Sequence, residues 1–238
     1  MIFDAKTAQS YDDWLTSPVG YYITGRQQKL ILDLLAPQEG ETMLDVGCKS
    51  GQFLLFFRRH GCNVTGIDPS PAMIDLARKK LGHRADLYQG NVHDLPFSDN
   101  EFDVVSLITS LEFYENPQRV IEESIRVARN RIVIGFLNRY SLVTESLKAD
   151  TIFRHASNTF GIFELRRLIR GILSETTIHW GSVIFFPIRW YPSFSFVEEW
   201  IPRLNNPLGS FGGCVFPMVY TRHTIQEPLK DSLKVGVR

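Results

Sequence analysis

The chain has 238 residues, 44% of them hydrophobic and 22% charged, with 26 basic residues against 26 acidic ones. It is long enough to bury a sizeable core, and its balanced charge removes a whole-protein argument for nucleic-acid or polyanion binding. Cys48, Cys62 and Cys214 lack CxxC spacing. They are expected to be free thiols in a reducing compartment, not a disulfide framework or a zinc site.

In chain order, the opening "MIFDAKTAQSYDDW" lacks a basic stretch followed by an apolar core, so no secretory leader is expected. No apolar run approaches the ~20 residues that span a bilayer, and a cytoplasmic chain is expected. Residues 1–39 read as a helical lead-in, with one amphipathic helix in "QQKLILDLLAP" stopped by Pro37. The tyrosines and Trp14 of "YDDWLTSPVGYYITGRQQKL" are read as lying before that helix.

From 40 to 137, short apolar runs alternate with helical patterns. "TMLDVG", "NVTGID", "ADLYQG", "FDVVSLI" and "NRIVIGF" are predicted strands. Between them, "GQFLLFFRRHG", "SPAMIDLARKKLG" and "NPQRVIEESIRVARN" are predicted helices, with Ser70 and Asn116 as N-caps and a proline after each. This alternation predicts an α/β, doubly wound, mostly parallel sheet. From 138 to 221 the pattern loosens: a helix in "TFGIFELRRLIRGIL", strands near 176–186 and 213–221, and an aromatic, proline-rich insertion at 187–210 between them. The tail 222–238 is polar, and the whole is read as one domain.

The chemistry centres on "LDVGCKSGQF", an apolar run followed by closely spaced glycines, Asp45-x-Gly47-x-Lys49-x-Gly51. In an open parallel sheet, ligands bind beyond the carboxyl ends of strands, where glycines bring backbone N–H groups close to them. The next predicted strand ends at Asp68, about twenty positions on, where a carboxylate can accept ribose hydroxyls. An ordinary tight strand-to-helix turn is the competing reading of this pair. Neither GxGxxG nor GxxxxGK[ST] is matched, since Lys49 and Gln52 stand in the way. A pyrophosphate site, and with it a nicotinamide-dependent oxidoreductase, is disfavoured.

The segment "GNVHDLPFSDNEFDVVSLITSLEFYENP" adds a third motif. With "LDVGCKSG" and "VTGIDPSPAMIDLARKK", it resembles class I S-adenosylmethionine-dependent methyltransferases over residues 40–137. The likeness is to the small-molecule branch that includes ubiquinone and menaquinone biosynthesis enzymes. The resemblance implies a Rossmann-like, seven-stranded sheet with an antiparallel last strand, S-adenosylmethionine as cofactor and S-adenosylhomocysteine as product. It implies methyl transfer to an O, N, C or S atom of a small, partly apolar acceptor.

By that resemblance Asp45 would organise the loop and approach the cofactor's amino group, and Gly47, Cys48, Lys49 and Gly51 would form the loop itself. Asp68 would bind the ribose, Pro69 and Met73 would line the adenine, and Asn91 and Val92 would face its amino group and ring. Thr109 and Ser110 would lie at the methionine end, with Tyr11 contacting it from the lead-in. Several bland readings stand beside these: a turn proline at Pro69, a core methionine at Met73, a surface histidine at His93, and aromatics that merely pack the lead-in onto the sheet. Glu112 could hold a substrate or act as a base, or be a solvated loop residue. Trp190, Tyr191, Phe194, Phe196 and Trp200 could form an apolar lid or the surface of a homodimer. "TSLEFY", where base-methylating enzymes carry an "NPPY"-type tetrapeptide, and the neutral charge argue against nucleic acid.

Lys49 leaves three geometries open: toward solvent, paired with the cofactor carboxylate, or opposed to the sulfonium. The last motivates an alternative, a weak or inactive protein that binds the cofactor for regulation or assembly.

Overall fold

The computed structural model describes residues 3–149, 152–173, 176–187, 190 and 196–218. The lead-in forms two helices where the sequence suggested one, α1 (Ala5–Thr16) and α2 (Pro18–Leu35). Asp4 caps α1 by accepting from Thr7 N, while Ser17 accepts from Gly20 N and precedes Pro18 at the first turn of α2. Those caps start both helices well before the apolar periodicity becomes regular. Tyr11 and Trp14 therefore lie inside α1, and Tyr21 and Tyr22 inside α2.

The sheet strands are β1 (Thr42–Val46), β2 (Asn63–Asp68), β3 (Asp86–Gln89), β4 (Phe102–Ile108), β5 (Ala128–Leu137), β6 (His179–Val183) and β7 (Phe211–Pro217). Their order is β3-β2-β1-β4-β5-β7-β6. β1 to β5 run parallel, and β7 lies antiparallel between β5 and β6. The seven-stranded sheet with an antiparallel last strand is thus as expected. β5 starts two residues early, because α5 (Pro117–Val127) runs straight into it, and β6 is shorter than the stretch 176–186. β1 ends at Val46, one residue past Asp45.

The remaining helices are α3 (Gln52–Arg59), α4 (Pro71–Leu81), α6 (Thr144–Ala149) and α7 (Ile162–Ile172). Ser70 and Asn116 cap α4 and α5, accepting from Met73 N and Arg119 N. Strand residues alternate between two cores. Met43, Val104, Val133 and Leu137 face α1 to α4. Leu44, Val46, Val105, Leu107, Ile132 and Ile134 face α5 and α7. Burial on both faces is why these strands read as continuous apolar runs.

The strand order puts the carboxyl end of β1 between those of β2 and β4. Residues 47–51, 69–70 and 109–114 consequently meet on one edge. The β6–β7 connection opens at that same edge, since Val183 and Leu137 both pair with Phe211. Glu198 fixes this connection to α2: it accepts from Tyr22 Oη at 2.7 Å and Phe185 N at 2.8 Å, with Arg26 Nε 3.6 Å away. Phe196 and Trp200 project outward, 67% and 86% exposed, and Trp190 is partly exposed. Tyr191, Phe194 and the tail 222–238 lie outside the described residues. Among the described residues no helix is long and apolar enough to cross a membrane, and no cluster of metal-ligating side chains occurs.

Candidate active site

The turn after β1 is built from left-handed residues: Gly47 (φ 76°), Lys49 (φ 51°) and Gly51 (φ 77°). At Gly47 a Cβ would lie 2.5 Å from Tyr114 Oη and 2.6 Å from Ser110 Cβ, so only glycine fits. Gly47 N and Cys48 N both donate to Ile67 O, folding the turn back over β2. Gly51 opens α3 against Leu81 and Ala77 of α4.

Asp68 stands at the tip of β2, 3% exposed. Its Oδ1 accepts from Ser70 N at 2.8 Å and its Oδ2 from Lys49 N at 2.9 Å. Burial raises its pKa, and these two backbone donors pull it back. A carboxylate has about four acceptor positions, so both oxygens can still receive a hydroxyl.

Lys49 does not reach solvent. Its side chain runs inward, 5% exposed, and Nζ donates to Ile108 O at 3.0 Å and Thr109 Oγ1 at 3.1 Å. Nζ also lies 5.9 Å from the Phe113 ring centroid. Burial lowers its pKa, opposed first by Glu112 and then by Asp45 and Asp68. Thr109 is itself left-handed (φ 49°), its N–H bonded to Gly135 O on β5.

Glu112 is fully buried, not a solvated loop residue. Oε1 accepts from Leu137 N at 2.6 Å, and Oε2 has no hydrogen-bond partner. Burial pushes its carboxyl up to about 7 despite the Leu137 N–H and Lys49. Asp45 accepts from Ser106 Oγ at 2.6 Å and braces β1 to β4, while burial raises its pKa to about 6.

Between these groups lies a void of about 10 Å³, lined by Phe3, Gly47, Lys49, Asp68, Pro69, Ser110, Phe113 and Tyr114. That is room for a single water. Ser110 Oγ is buried without a hydrogen-bond partner. Four of the expected residues, Gly47, Lys49, Asp68 and Pro69, thus meet at one void together with Ser110.

The other candidates sit around it. Cys48, Met73 and Val92 are buried in the two cores. Burial pushes the Cys48 thiol up. Thr109 lies under the Lys49 ammonium. Asn91 is exposed, its Oδ1 accepting from His93 N at 3.0 Å, and the His93 ring is edge-on to Tyr114. Tyr11 is buried on α1, its hydroxyl pKa raised by burial and then by Asp12, Asp45 and Asp68.

The aromatic cover was not foreseen. Phe3 packs edge-on to Phe113 at 5.0 Å, and its carbonyl accepts from Ser70 Oγ. Phe153, from the 3-10 turn Ile152–His155, stacks on Phe113 at 6.0 Å. Ser157 N and Asn158 N then close onto Glu112 O. "EFY" after β4 was the one available signal, in its aromatics beside a carboxylate.

The residues fit an adenosyl cofactor at one end and not at the other. Asp68, the glycine turn and Pro69 offer a ribose acceptor with backbone close by. At the β4 end, the acceptors suited to an ammonium are already held by Lys49.

Residues 44–133 match the family model described as a methyltransferase domain. The carboxy-S-adenosyl-L-methionine synthase of Campylobacter lari is 34% identical over 125 residues, 49% of this chain and 51% of that protein. The demethylmenaquinone methyltransferase of Listeria welshimeri is 29% identical over 131 residues, 52% of this chain and 55% of that protein. The chain therefore spans about half the length of these curated relatives. The structure of a SAM-dependent methyltransferase from Thermotoga maritima superposes with a TM-score of 0.73 at 20% identity, covering 90% of this chain and 96% of that one. Motifs, sheet order and matches together make residues 44–133 similar to a methyltransferase domain, on a Rossmann-like α/β sheet, and S-adenosylmethionine is the cofactor of that family.

Proposed function

We propose that this chain transfers a methyl group from S-adenosylmethionine to a small, partly apolar molecule. The observation that carries the reading is Asp68, a buried carboxylate held by two backbone N–H groups at the tip of β2, beside a turn that only glycine permits at position 47. This is the geometry of a prepared ribose acceptor. The sulfonium supplies an activated methyl group, so the protein's task is alignment and exclusion of water.

Phe3, Phe113, Tyr114 and Phe153 provide that exclusion, an apolar cover at the methyl-donor side of the cleft. Glu112, with one oxygen uncommitted and a carboxyl pushed up to about 7, is the candidate base or substrate anchor. Trp190, Phe196 and Trp200 belong to the β6–β7 connection, which opens at the same edge, and they suit an apolar acceptor or a second copy of the chain. Residues 1–238 are read as one domain, and a cytoplasmic setting is in keeping with three free, buried cysteines.

A second reading rests on the buried ammonium of Lys49: a protein that binds the cofactor or its demethylated product without turnover. Incubation with methyl-labelled S-adenosylmethionine and a panel of quinols, phenols and amines separates the two. Label transferred to an acceptor, and lost in Asp68→Ala, supports transfer. Binding of S-adenosylhomocysteine with no acceptor labelled supports the second reading, and binding of neither by folded protein removes both.

A further inference from the structure

Lys49 spans the cleft from end to end. Its backbone N–H sits on Asp68 Oδ2 at the β2 tip, and its Nζ sits on Ile108 O and Thr109 Oγ1 at the β4 tip. Any ligand that places a ribose at Asp68 and extends across the glycine turn must follow this path, because β1 lies between β2 and β4. For S-adenosylmethionine and S-adenosylhomocysteine, the part that extends is a short aliphatic arm bearing an ammonium and a carboxylate.

A lysine side chain is chemically close to that arm, an aliphatic stem ending in an ammonium. Here it has taken the acceptors such an ammonium needs. While Lys49 Nζ holds Ile108 O and Thr109 Oγ1, a ligand ammonium is left without these acceptors in a water-poor site. The remaining void, about 10 Å³, leaves no space for a second arm beside the first. Ser110 Oγ and Glu112 Oε2, both buried and lacking hydrogen-bond partners, mark polar groups at this end whose needs Lys49 does not meet.

The geometry points to Lys49 as an internal occupant of the amino-acid end of the cofactor cleft. The chain accordingly selects adenosyl ligands without an ammonium-bearing arm over those with one, unless Lys49 is displaced. The inference rests on the reading of the cleft as an adenosyl site. It adds that cofactor entry must first move a side chain of the protein out of the way, which makes Lys49 the residue that sets ligand preference. Glycine suits the left-handed backbone of position 49, so Lys49→Gly removes the occupant without demanding a new turn.

The test is calorimetric titration of wild type, Lys49→Gly and Lys49→Asn with S-adenosylhomocysteine and with 5′-methylthioadenosine, which lacks the amino-acid arm. Wild type is expected to bind methylthioadenosine at least as tightly as S-adenosylhomocysteine. Lys49→Gly is expected to gain at least tenfold for S-adenosylhomocysteine and to stay within threefold for methylthioadenosine. Should the glycine variant fail to fold, Lys49→Asn carries the test, since asparagine tolerates left-handed backbone and frees both the two acceptors and the space of the stem; the ratio of the two affinities must still move toward S-adenosylhomocysteine. Loss of S-adenosylhomocysteine affinity on removing Lys49, or an equal change for both ligands, overturns the inference and leaves the adenosyl site standing. Failure of every folded form to bind either ligand overturns the adenosyl site itself.

Discussion

The two ends of the cleft are built on opposite plans. At the β2 end, one carboxylate is held by two backbone donors, Lys49 N and Ser70 N, so both of its oxygens are partnered. At the β4 end, Thr109 sits in left-handed backbone, as Lys49 does in the turn between the two ends, and the Glu112 carboxyl is buried with one oxygen unpartnered. A left-handed non-glycine residue costs on the order of 1–2 kcal/mol. Buried polar groups left unpaired, such as Glu112 Oε2 and Ser110 Oγ, cost about as much again. Preorganisation with both carboxylate oxygens partnered marks an end made for one fixed ligand group. Strain with uncommitted polar atoms marks an end whose contacts are meant to change.

That contrast can be broken at four places, taken from the largest effect down. Gly47→Ala puts a Cβ against Tyr114 Oη and Ser110 Cβ in left-handed backbone, and should lower stability by about 3 kcal/mol in chemical denaturation. Stability equal to wild type would show that the turn is not as tight as its geometry states. Asp68→Ala should weaken binding of S-adenosylhomocysteine about a hundredfold, ~2.7 kcal/mol, by calorimetry on protein whose melting transition is still cooperative. Unchanged affinity would place the ribose elsewhere.

Glu112→Gln addresses the β4 end. The folded-state pKa of Glu112 is raised from 4.5 to about 7, so its contribution to stability is fully present below pH 4.5 and is lost as pH rises through 7. Relative to the glutamine variant, wild type should therefore lose about 2 kcal/mol between about pH 5 and 7, read from parallel denaturation curves. Curves that keep a constant separation across that range would remove Glu112 as a titrating buried group. The smallest effect is Tyr22→Phe, which removes the hydroxyl donated to Glu198 at 2.7 Å. About 1 kcal/mol should be lost. The cleft should bind S-adenosylhomocysteine as before, because this contact anchors the β6–β7 connection and not the ligand.

The β2 end was legible in the sequence, and the β4 end largely was not. The glycine spacing, Asp68 and the Ser70–Pro71 cap are local signals: each residue type is dictated by backbone within a few positions of it. The alternation of short apolar runs gave the sheet, because burial on both faces leaves no other pattern. The direction of Lys49 depends on the left-handed turn and on acceptors sixty residues away, which no local pattern encodes. Phe3 and Phe153 converge on Phe113 from far apart in the chain. Their neighbours in sequence give no hint of a shared site. The early start of α1 and α2 has a local signal, since Asp4 and Ser17 are ordinary caps, but the apolar spacing that marks a helix becomes regular only further on.

The most direct test of the account is a crystal structure of the protein with S-adenosylhomocysteine bound. The account predicts ribose hydroxyls on the Asp68 carboxylate and Lys49 Nζ withdrawn from Ile108 O and Thr109 Oγ1, with the ligand's ammonium in its place. A ligand bound away from Asp68, or one whose arm is seated while Lys49 keeps both of its present contacts, would contradict it.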